Sequence, residues 1–492
     1  MAEPLDRQQN RKPEAETKSM RKRLGVLAAV FAAIALMAGV ATAGSDFGQF
    51  VQRQLADQSS KLYGFSGPLK ASSTASITAG QAKADPRRLA TVAKSLKVRV
   101  VSAGSAPPNL DQSAFWPNAG KPKWLITCNE QEETDPGLVR IDLATGLSTT
   151  IVTGTTECDP IRATPWGTIL FGEEADSGPS GGRMYELIDP LHTTGVSLDR
   201  TTGTFSGGTG AANLVARPVL GRLSFEGLAI YANGLTYYSE DLGPSNGAGG
   251  GAHYKFIPAT PRDPGDGPVT SLGQSPYATP GSIFGLRIGT GGGFGQGAQY
   301  GQGTWVPIPN TSAENLRAAG AALHLTGYAR PEDFDVDAAA QAASRVRYCA
   351  AHSGNEPVEL WGEIVCFSDG TIQQATANTA TPRAQLFVEG SPAFGMPDNV
   401  AYQPGRGNWI FHEDASTNTP LQGPHNNDLW DCLPDGGDPD LQSDGCVRMA
   451  TLNDLTSEWT GGIFDAGGKH FYVSVQHNIS GTGTILDITG WK

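Results

Sequence analysis

Short apolar segments alternate with turns along most of the chain, and the clearest of them predicts a β-hairpin. An apolar segment runs from Phe225 to Ile230, Asn233-Gly234 follows, and a second apolar segment spans Leu235 to Ser239. Asn-Gly favours a tight hairpin turn because both residues tolerate positive φ. Carboxylates mark the open end of this hairpin, with Glu226 near its start and Glu240-Asp241 at its finish.

The same combination of apolar segments and acidic ends recurs elsewhere in the chain. Further copies are Trp166–Glu174, Pro331–Val336, and the pair Asp398–Tyr402 and Trp409–Asp414. Acidic residues are therefore repeated at the same end of successive hairpins. Such repetition is typical of radial all-β architectures, in which one end of every hairpin lies near a common axis.

Helical patterns are few, and two of them precede the strands. Residues 47–62 and 86–96 have helical patterns and belong to a predicted N-terminal extension, residues 44–97. Strand patterns dominate the predicted main domain, residues 98–492. Within it, Asn310–Leu325 is predicted to be an inserted helix that covers one face of the β-structure.

Composition supports a loop-rich β-protein and excludes two common kinds of site. The 492 residues include 63 Gly and 33 Pro, and residues 242–303 are so rich in both that they predict an irregular surface excursion. The glycine run Gly289–Gly295 lacks the Gly-Lys-Ser/Thr ending of a phosphate loop. A formal net charge of -13 without a basic stripe argues against a nucleic-acid partner.

The N-terminus predicts export. A polar, basic segment ends at Arg23, residues 24–40 are apolar, and Ala41-Thr42-Ala43 fits a small-residue cleavage site. We therefore expect residues 1–43 to be a signal peptide, with an uncleaved membrane anchor as the alternative. Either outcome places the rest of the chain outside the cytoplasm, as a secreted, periplasmic or extracellular protein, with membrane contact only if the anchor is kept.

Six cysteines suit an oxidising compartment. Cys432 and Cys446 bracket a short loop and are the first predicted disulfide, and Cys349 and Cys366 are the second. Cys158 belongs to neither predicted pair, and its alternative role is that of a metal ligand.

The repeated carboxylates predict metal chemistry if they converge. Clustered carboxylates repel one another and normally require cations, and oxygen ligands select hard cations such as calcium. Solvated loop carboxylates are the alternative. No Gly-x-Ser-x-Gly segment stands in a strand-turn-helix context, which argues against a serine hydrolase. Arg330, next to Pro331-Glu332, is predicted either to bind phosphate in bidentate fashion or to pair with a neighbouring carboxylate.

An ordered set of motifs spans about residues 100–490. It consists of Thr164-Pro165-Trp166-Gly167-Thr168 with Glu173-Glu174, Phe225-Glu226-Gly227 with Ser239-Glu240-Asp241, Gly303-Thr304-Trp305-Val306-Pro307, Arg330-Pro331-Glu332-Asp333, Pro397-Asp398-Asn399, and Trp459-Thr460-Gly461-Gly462 with Val475-Gln476-His477. In this order the motifs resemble the PhoX family of secreted bacterial alkaline phosphatases.

The resemblance implies an all-β, six-bladed β-propeller with inserted helices and long loops, and an axial site that holds calcium (Ca2+) and iron (Fe3+) and hydrolyses phosphate esters. By resemblance, Arg330 contacts phosphate and Glu332 shares the catalytic site. The implied metal ligands are Cys158, Glu173, Glu174, Glu226, Glu240, Asp241, Glu332, Asp398, Glu413 and Asp414.

Metal-dependent hydrolysis of a small phosphate monoester is therefore the predicted function, carried out by a monomer. Two alternatives stay open at this stage. One is a calcium-dependent lactonase or esterase propeller, and the other is a non-catalytic, calcium-stabilised propeller that binds a surface or polymer.

Overall fold

A computed structural model describes residues 47–243, 250–263, 265–289, 293–294, 299–355, 361–415, 426–436 and 440–492. The predicted signal peptide or anchor, residues 1–43, lies outside the described residues. The chain divides into two compact units, Met1–Gln54 and Leu55–Lys492. In the first, the described residues are helical, and the second contains all the strands described below.

Strands dominate the second unit, as the alternating pattern predicts. The helices are α1 (Phe47–Asp57), α2 (Ser59–Leu62), α3 (Ala79–Ala84), α4 (Leu316–Ala322), α5 (Ala338–Ala342) and α6 (Ile372–Thr376). Short 3-10 turns span Pro86–Leu89, Ala211–Asn213, Pro218–Leu220, Leu272–Gln274, Pro276–Ala278 and Asn310–Asn315. The strands, numbered along the chain, are β1 (Ala90–Val92), β2 (Lys97–Ala106), β3 (Leu110–Trp116), β4 (Trp124–Asn129), β5 (Pro136–Asp142), β6 (Ser148–Thr153), β7 (Cys158–Ala163), β8 (Ile169–Glu173), β9 (Met184–Leu187), β10 (Val196–Asp199), β11 (Thr204–Ser206), β12 (Leu214–Ala216), β13 (Phe225–Ile230), β14 (Thr236–Glu240), β15 (Gly251–Pro258), β16 (Gly281–Ile288), β17 (Gly293–Phe294), β18 (Gly301–Ile308), β19 (Thr326–Tyr328), β20 (Pro331–Val336), β21 (Arg345–His352), β22 (Glu363–Thr371), β23 (Arg383–Glu389), β24 (Pro397–Tyr402), β25 (Trp409–Glu413), β26 (Asp428–Cys432), β27 (Cys446–Leu452), β28 (Glu458–Phe464), β29 (His470–Gln476) and β30 (Gly483–Thr489).

The described strands form five hydrogen-bonded sheets in a propeller-like arrangement, so the prediction of six separate blades is wrong. Four sheets have four to six strands: β3 to β6 with β10 and β11, β7 to β9 with β12, β24 to β27 with β1, and β28 to β30 with β2. The fifth has eleven strands, because β18 pairs with β16 on one side and with β23 on the other and so joins two antiparallel meanders.

A ring of strands lies at the centre of this arrangement. The strands β3, β7, β13, β20, β24 and β28 are the first strands of successive meanders, and each contacts the next, with β28 returning to β3. We call them the inner strands. The N-terminal strand β2 pairs with the C-terminal strand β30, so hydrogen bonds between the two ends of the β-structure complete the last sheet. Residues that start an inner strand are thereby brought to one end of a common axis.

Apolar layers between successive sheets form the core. Ile126 and Leu138 of one sheet pack with Ile161 and Phe171 of the next, and all four side chains are fully buried. Burial of an aliphatic or aromatic side chain of this size contributes roughly 1.5–3 kcal/mol each. The apolar side chains that alternate strand residues direct toward the neighbouring sheet therefore stabilise both sheets.

Three disulfides bridge the described residues, and two of them confirm the predicted pairs. Cys349–Cys366 and Cys432–Cys446 each join residues directly opposite each other on adjacent strands. The third, Cys128–Cys158, joins β4 to β7 and so connects two sheets.

The inserted helix is shorter than predicted, and the Gly-rich region is more regular. Asn310–Asn315 is a 3-10 turn, and α4 begins after Asn315, whose side-chain oxygen accepts a hydrogen bond from the Ala318 amide. The strands β15, β16, β17 and β18 lie within or across the segment predicted to be a surface excursion. No helix in the described ranges is both long and apolar enough to cross a membrane.

Candidate metal centre and active site

Every inner strand carries a register irregularity near its first residues, and the same position holds a carboxylate in five of the six bulges. A β-bulge inserts an extra residue and changes the direction of a side chain, so it is a common device next to active sites. In the order β3, β7, β13, β20, β24 and β28, the first bulge residues are Asp111, Asp159, Glu226, Glu332, Asp398 and Gly461. We call the five carboxylates of this set the inner ring.

The sixth position has no room for a side chain. Gly461 has φ of +59°, and a Cβ built on it would lie 2.1 Å from the carbonyl oxygen of Asp111. Its amide also donates to the Oδ1 atom of Asn399. Close backbone packing between β28 and β3 therefore explains why the ring of acids is interrupted there.

A second set of side chains comes from the strands paired with the inner strands. The last strand residues Asn129, Glu173, Glu240, His352 and Glu413 pair with the residues that directly precede the bulges. Side chains of successive strand residues point to opposite faces, so the next residue of each strand faces the other way. The following residues, which we call the outer ring, are Glu130, Glu174, Asp241, Ser353 and Asp414.

This alternation separates three predicted metal ligands, Glu173, Glu240 and Glu413, from the outer-ring residues that follow them. Both oxygens of Glu173 are occupied by four protein donors: the amides of Thr156 and Arg183, the Tyr185 hydroxyl at 2.9 Å and Arg200 Nε at 2.7 Å. A carboxylate with all of its strong acceptor sites engaged has no position left for a cation. Glu173 therefore anchors its own sheet.

The other two of these predicted ligands, Glu240 and Glu413, also have protein partners. Glu240 pairs with Arg317. Glu413 accepts hydrogen bonds from Trp430 Nε1 at 3.0 Å and from two backbone amides. Both carboxylates therefore hold the ends of their own strands.

One group of carboxylates in the described residues has the spacing that a cation requires. Ligand oxygens of Asp159, Glu174 and Glu226 all lie within 4.8 Å of one another. Asp159 and Glu226 are 4% and 3% exposed, and Oδ1 of Asp159 is buried without a protein hydrogen-bond donor among the described residues. The same holds for Oδ1 of Asp111. Buried carboxylate oxygens that lack donors, close to other carboxylates, are suited to a hard cation such as calcium.

Burial makes this site strongly unfavourable for negative charge alone. Burial raises the pKa of Glu226, and repulsion from Asp159 raises it further. Burial likewise raises the pKa of Glu174, with repulsion from Asp241 as the next cause, and it raises the pKa of Glu130 to about 7. A bound cation would favour the ionised forms, because opposite charge lowers the pKa of a carboxyl group.

Arg330 lies at the rim of the two rings and is held in a strained backbone conformation. Its φ is +55°, in the left-handed region that non-glycine residues rarely adopt, and its carbonyl accepts a hydrogen bond from the Ser353 amide at 2.9 Å. Glu157 and Met396 have the same left-handed backbone directly before β7 and β24, and their carbonyls bind the amides that follow β8 and β25. Three inner strands, β7, β20 and β24, are therefore each preceded by a residue in this strained conformation.

The side chain of Arg330 pairs with carboxylates of both rings. Its Nη2 lies 3.2 Å from Glu332 Oε1, and its Nε lies 3.2 Å from Asp241 Oδ1. These ion pairs, that with Glu332 first, raise the pKa of Arg330 well above its usual value. The side chain is still 36% exposed. A guanidinium has five N–H donors, so donors remain for an oxyanion placed above the rim.

A further arginine, which the sequence analysis did not select, lies beneath the inner ring. Arg162 extends from β7 and pairs with Asp333 of β20, and its Nη1 donates to the Gln112 side chain of β3 at 2.8 Å. Burial raises the pKa of Asp333 to about 7, while Arg162 opposes that shift. Arg162 therefore ties the three inner strands β3, β7 and β20 together.

The structure also corrects the prediction for Cys158 and adds two acids. Cys158 is bonded to Cys128, so it has no thiolate to offer a metal. The neighbouring Asp159 occupies the ring position instead, and Asp111 does the same on β3. Both acids were missed because neither lies in one of the repeated acidic hairpin ends of the sequence. Asp159, like Glu226 and Glu332, stands two residues before an apolar strand residue, whereas Asp111 precedes Gln112-Ser113 and has no such signal.

Adjacent glutamates provide a matched test of this assignment. We expect Glu174→Gln to weaken metal affinity by at least about tenfold while leaving metal-free stability unchanged, because it removes a ring ligand. We expect Glu173→Gln to lower the free energy of unfolding by about 1–3 kcal/mol, because an amide cannot accept from all four donors that the buried carboxylate of Glu173 satisfies. Calorimetric metal titration and thermal melting of both variants measure the two effects. Weaker metal affinity in Glu173→Gln together with lower stability in Glu174→Gln would contradict the assignment of Glu174 to the outer ring.

The chain matches one family model and several solved structures. A family model described as alkaline phosphatase PhoX matches residues 136–478. Among solved structures, PhoX of Pseudomonas fluorescens in complex with vanadate, a transition state analogue, has a TM-score of 0.57 and 14% sequence identity, over 86% of this chain and 98% of that one. Soluble aldose sugar dehydrogenase of Escherichia coli in the apo form has a TM-score of 0.40 and 13% identity, over 80% and 99%. No curated relative matches the sequence significantly.

Proposed function

The chain belongs to the PhoX family of alkaline phosphatases and is therefore a phosphatase, and from this premise we propose that it hydrolyses phosphate monoesters at the two carboxylate rings with Arg330 at their rim. The observation that carries this proposal is the position of the Arg330 guanidinium, which is fixed by one carboxylate of each ring and still partly exposed. An arginine held in this way is suited to phosphate, because its planar donors match two phosphate oxygens.

Each group then has a distinct part in the reaction. Asp159, Glu174 and Glu226 would hold a cation, and other ring carboxylates, Asp398 and Asp414 among them, would extend the site. Bound cations supply the positive charge that phosphate oxygens require in the transition state. Arg330 binds and orients the phosphoryl group from the rim.

Two neighbours keep Arg330 aimed at the phosphate. Glu332 pairs with Arg330 through Oε1, and the same oxygen accepts a hydrogen bond from the Ser353 hydroxyl at 2.6 Å. Asp241 supports the guanidinium at Nε. Because substrate and arginine are fixed before reaction, less orientational entropy is lost at the transition state.

We propose calcium as the first metal. The donors that converge are carboxylate oxygens, and Ca2+ accepts six to eight oxygen ligands in flexible geometry. The sulfur of Cys158 is not part of the set, so an iron ion here would be bound by oxygens alone. We therefore propose iron only as an ion that is bound by oxygen ligands.

Export and a monomeric state complete the proposal. The three disulfides among the described residues support an oxidising compartment, in agreement with the apolar N-terminal segment of the sequence. Whether residues 1–43 are cleaved or kept as an anchor is decided by N-terminal sequencing of the exported protein.

Hydrolysis of p-nitrophenyl phosphate tests the function, with a calcium titration of chelated protein. We expect turnover that is lost on chelation and returns with calcium, and we expect no comparable hydrolysis of lactones or carboxyl esters. Calcium-dependent lactone hydrolysis without phosphatase activity would overturn the proposal in favour of a lactonase. Calcium binding without any turnover would favour a binding protein.

A further inference from the structure

A cavity of about 500 Å3 lies beside Arg330, on the other face of the segment that carries Asp241. Glu240 and Leu242 line this cavity, whereas Asp241 between them points to Arg330, as strand alternation requires. The Arg330 amide donates to the Leu242 carbonyl at 3.3 Å. The cavity and the rim of the rings are therefore separated by one stretch of backbone.

The segment that separates the cavity from Arg330 ends at Gly243, which has no side chain. A Cβ built on Gly243 would lie 3.7 Å from Cγ of Arg330. Gly327, three residues before Arg330, also lines the cavity. Two segments of the chain near the cavity thus adjoin residues of the candidate active site.

Hydrocarbon surface dominates the inside of the cavity. Leu242, Ala252 and Leu325 present aliphatic groups, and Ala318 of α4 stands at the mouth. Tyr254, also in the lining, is fully buried, and its hydroxyl donates to the Leu316 carbonyl at 3.2 Å. Apolar walls with few polar groups are typical of small-molecule binding sites.

The charged residues of the cavity are paired with each other. Arg317 contacts Glu240 through Nε and Asp176 through Nη1, the latter at 2.8 Å. Asp176 lies outside the lining with an 83% exposed side chain, so the lining contributes one carboxylate paired with one guanidinium. An anionic group on a ligand would meet no unpaired cation among these lining residues, whereas an uncharged ring requires none.

We propose that this cavity binds the alcohol portion of the phosphate ester and favours an uncharged aromatic or bulky apolar group. The phosphoryl group would lie at Arg330, and the alcohol would pass over Leu242-Gly243 into the cavity. This inference rests on the proposed phosphatase function and gives it a substrate class: apolar monoesters are preferred over esters whose alcohol carries further phosphates or carboxylates.

The test compares 2-naphthyl phosphate with phenyl phosphate, whose leaving groups have similar acidity. We expect wild type to hydrolyse the naphthyl ester with a kcat/KM about tenfold higher, because the second ring is buried in the cavity. Ala318→Trp and Ala321→Trp place a bulky ring at exposed positions of its lining and should bring that ratio to about one. Ala322→Trp is the matched control, since Ala322 is exposed on the same helix outside the lining.

Inhibition by inorganic phosphate separates the cavity from the catalytic site. We expect its inhibition constant to be the same in wild type and in all three tryptophan variants, because phosphate alone occupies only the rim. A naphthyl-to-phenyl ratio that Ala318→Trp and Ala321→Trp leave unchanged would overturn the cavity proposal while the phosphatase function stands. Absence of turnover in wild type would instead overturn the function itself.

Discussion

Replacing Arg330 by alanine is expected to lower kcat/KM for phosphate monoesters by about 100- to 1000-fold, the usual effect of removing one transition-state donor. The physical reason is the position of the guanidinium, which Glu332 and Asp241 fix at the rim, each at 3.2 Å. The variant should keep its fold but melt a few degrees below wild type, because the buried Glu332 loses one of its two partners. Steady-state kinetics and thermal melting of the same preparation measure both expectations.

Two further variants sharpen this prediction. Arg330→Lys keeps the charge but not the fork of donors, so we expect an intermediate loss in kcat/KM and a weaker competitive effect of inorganic phosphate. Arg99→Ala is the control, because Arg99 pairs with Asp487 at 2.9 Å and is 51% exposed without contacting the rings. Wild-type turnover in Arg330→Ala would remove this residue from the active site.

Removing bound metal is expected to abolish turnover and to lower the melting temperature. Burial raises the pKa values of Glu226 and Asp159, and repulsion from Asp159 raises that of Glu226 further. A cation relieves that repulsion and binds only the folded state. At 100 to 1000 times its dissociation constant it adds about 2.7–4.1 kcal/mol to the free energy of unfolding. Thermal melting with chelator, and after calcium is returned, measures the change.

The double variant Asp159→Asn, Glu226→Gln is the control for chelation. It lacks two of the three clustered carboxylates, so its melting temperature should not respond to chelator or to calcium. A wild-type melting curve that stays the same after thorough chelation would show that the rings need no cation. An equal response in wild type and the double variant would place the stabilising cation elsewhere.

The hairpins could be predicted from the sequence because their information is local. Strand alternation and Asn233-Gly234 specify β13 and β14, and the structure has strands at Phe225–Ile230 and Thr236–Glu240 around that turn. The number of sheets is not local information. It depends on β18, a Gly-containing strand that pairs with both β16 and β23, and the composition of its region favoured loops instead.

The acidic ends of the hairpins were predictable as a set but not residue by residue. For each adjacent pair, such as Glu173-Glu174, only one side chain can face the axis, and the choice depends on strand register. Register is fixed by pairing across the sheet, where Cys158 lies opposite Glu173. The sequence alone therefore predicted both members of each pair, and the structure assigns the second to the outer ring.

The remaining errors come from contacts between sheets. Cys128 and Cys158 are 30 residues apart, and only the packing of β4 beside β7 brings them together. That contact converts a predicted thiolate ligand into a disulfide. Asp159 then becomes the ring residue, because the β-bulge after Cys158 turns its side chain inward.

Metal content and turnover measured on one natively purified sample test the central claim most directly. Elemental mass spectrometry gives calcium and iron per chain, and p-nitrophenyl phosphate gives the rate, for wild type and for Asp159→Asn. The account predicts bound metal with turnover in wild type, and a parallel loss of both in Asp159→Asn with retained fold. Full metal content in Asp159→Asn, or undiminished turnover in metal-free wild type, would contradict it.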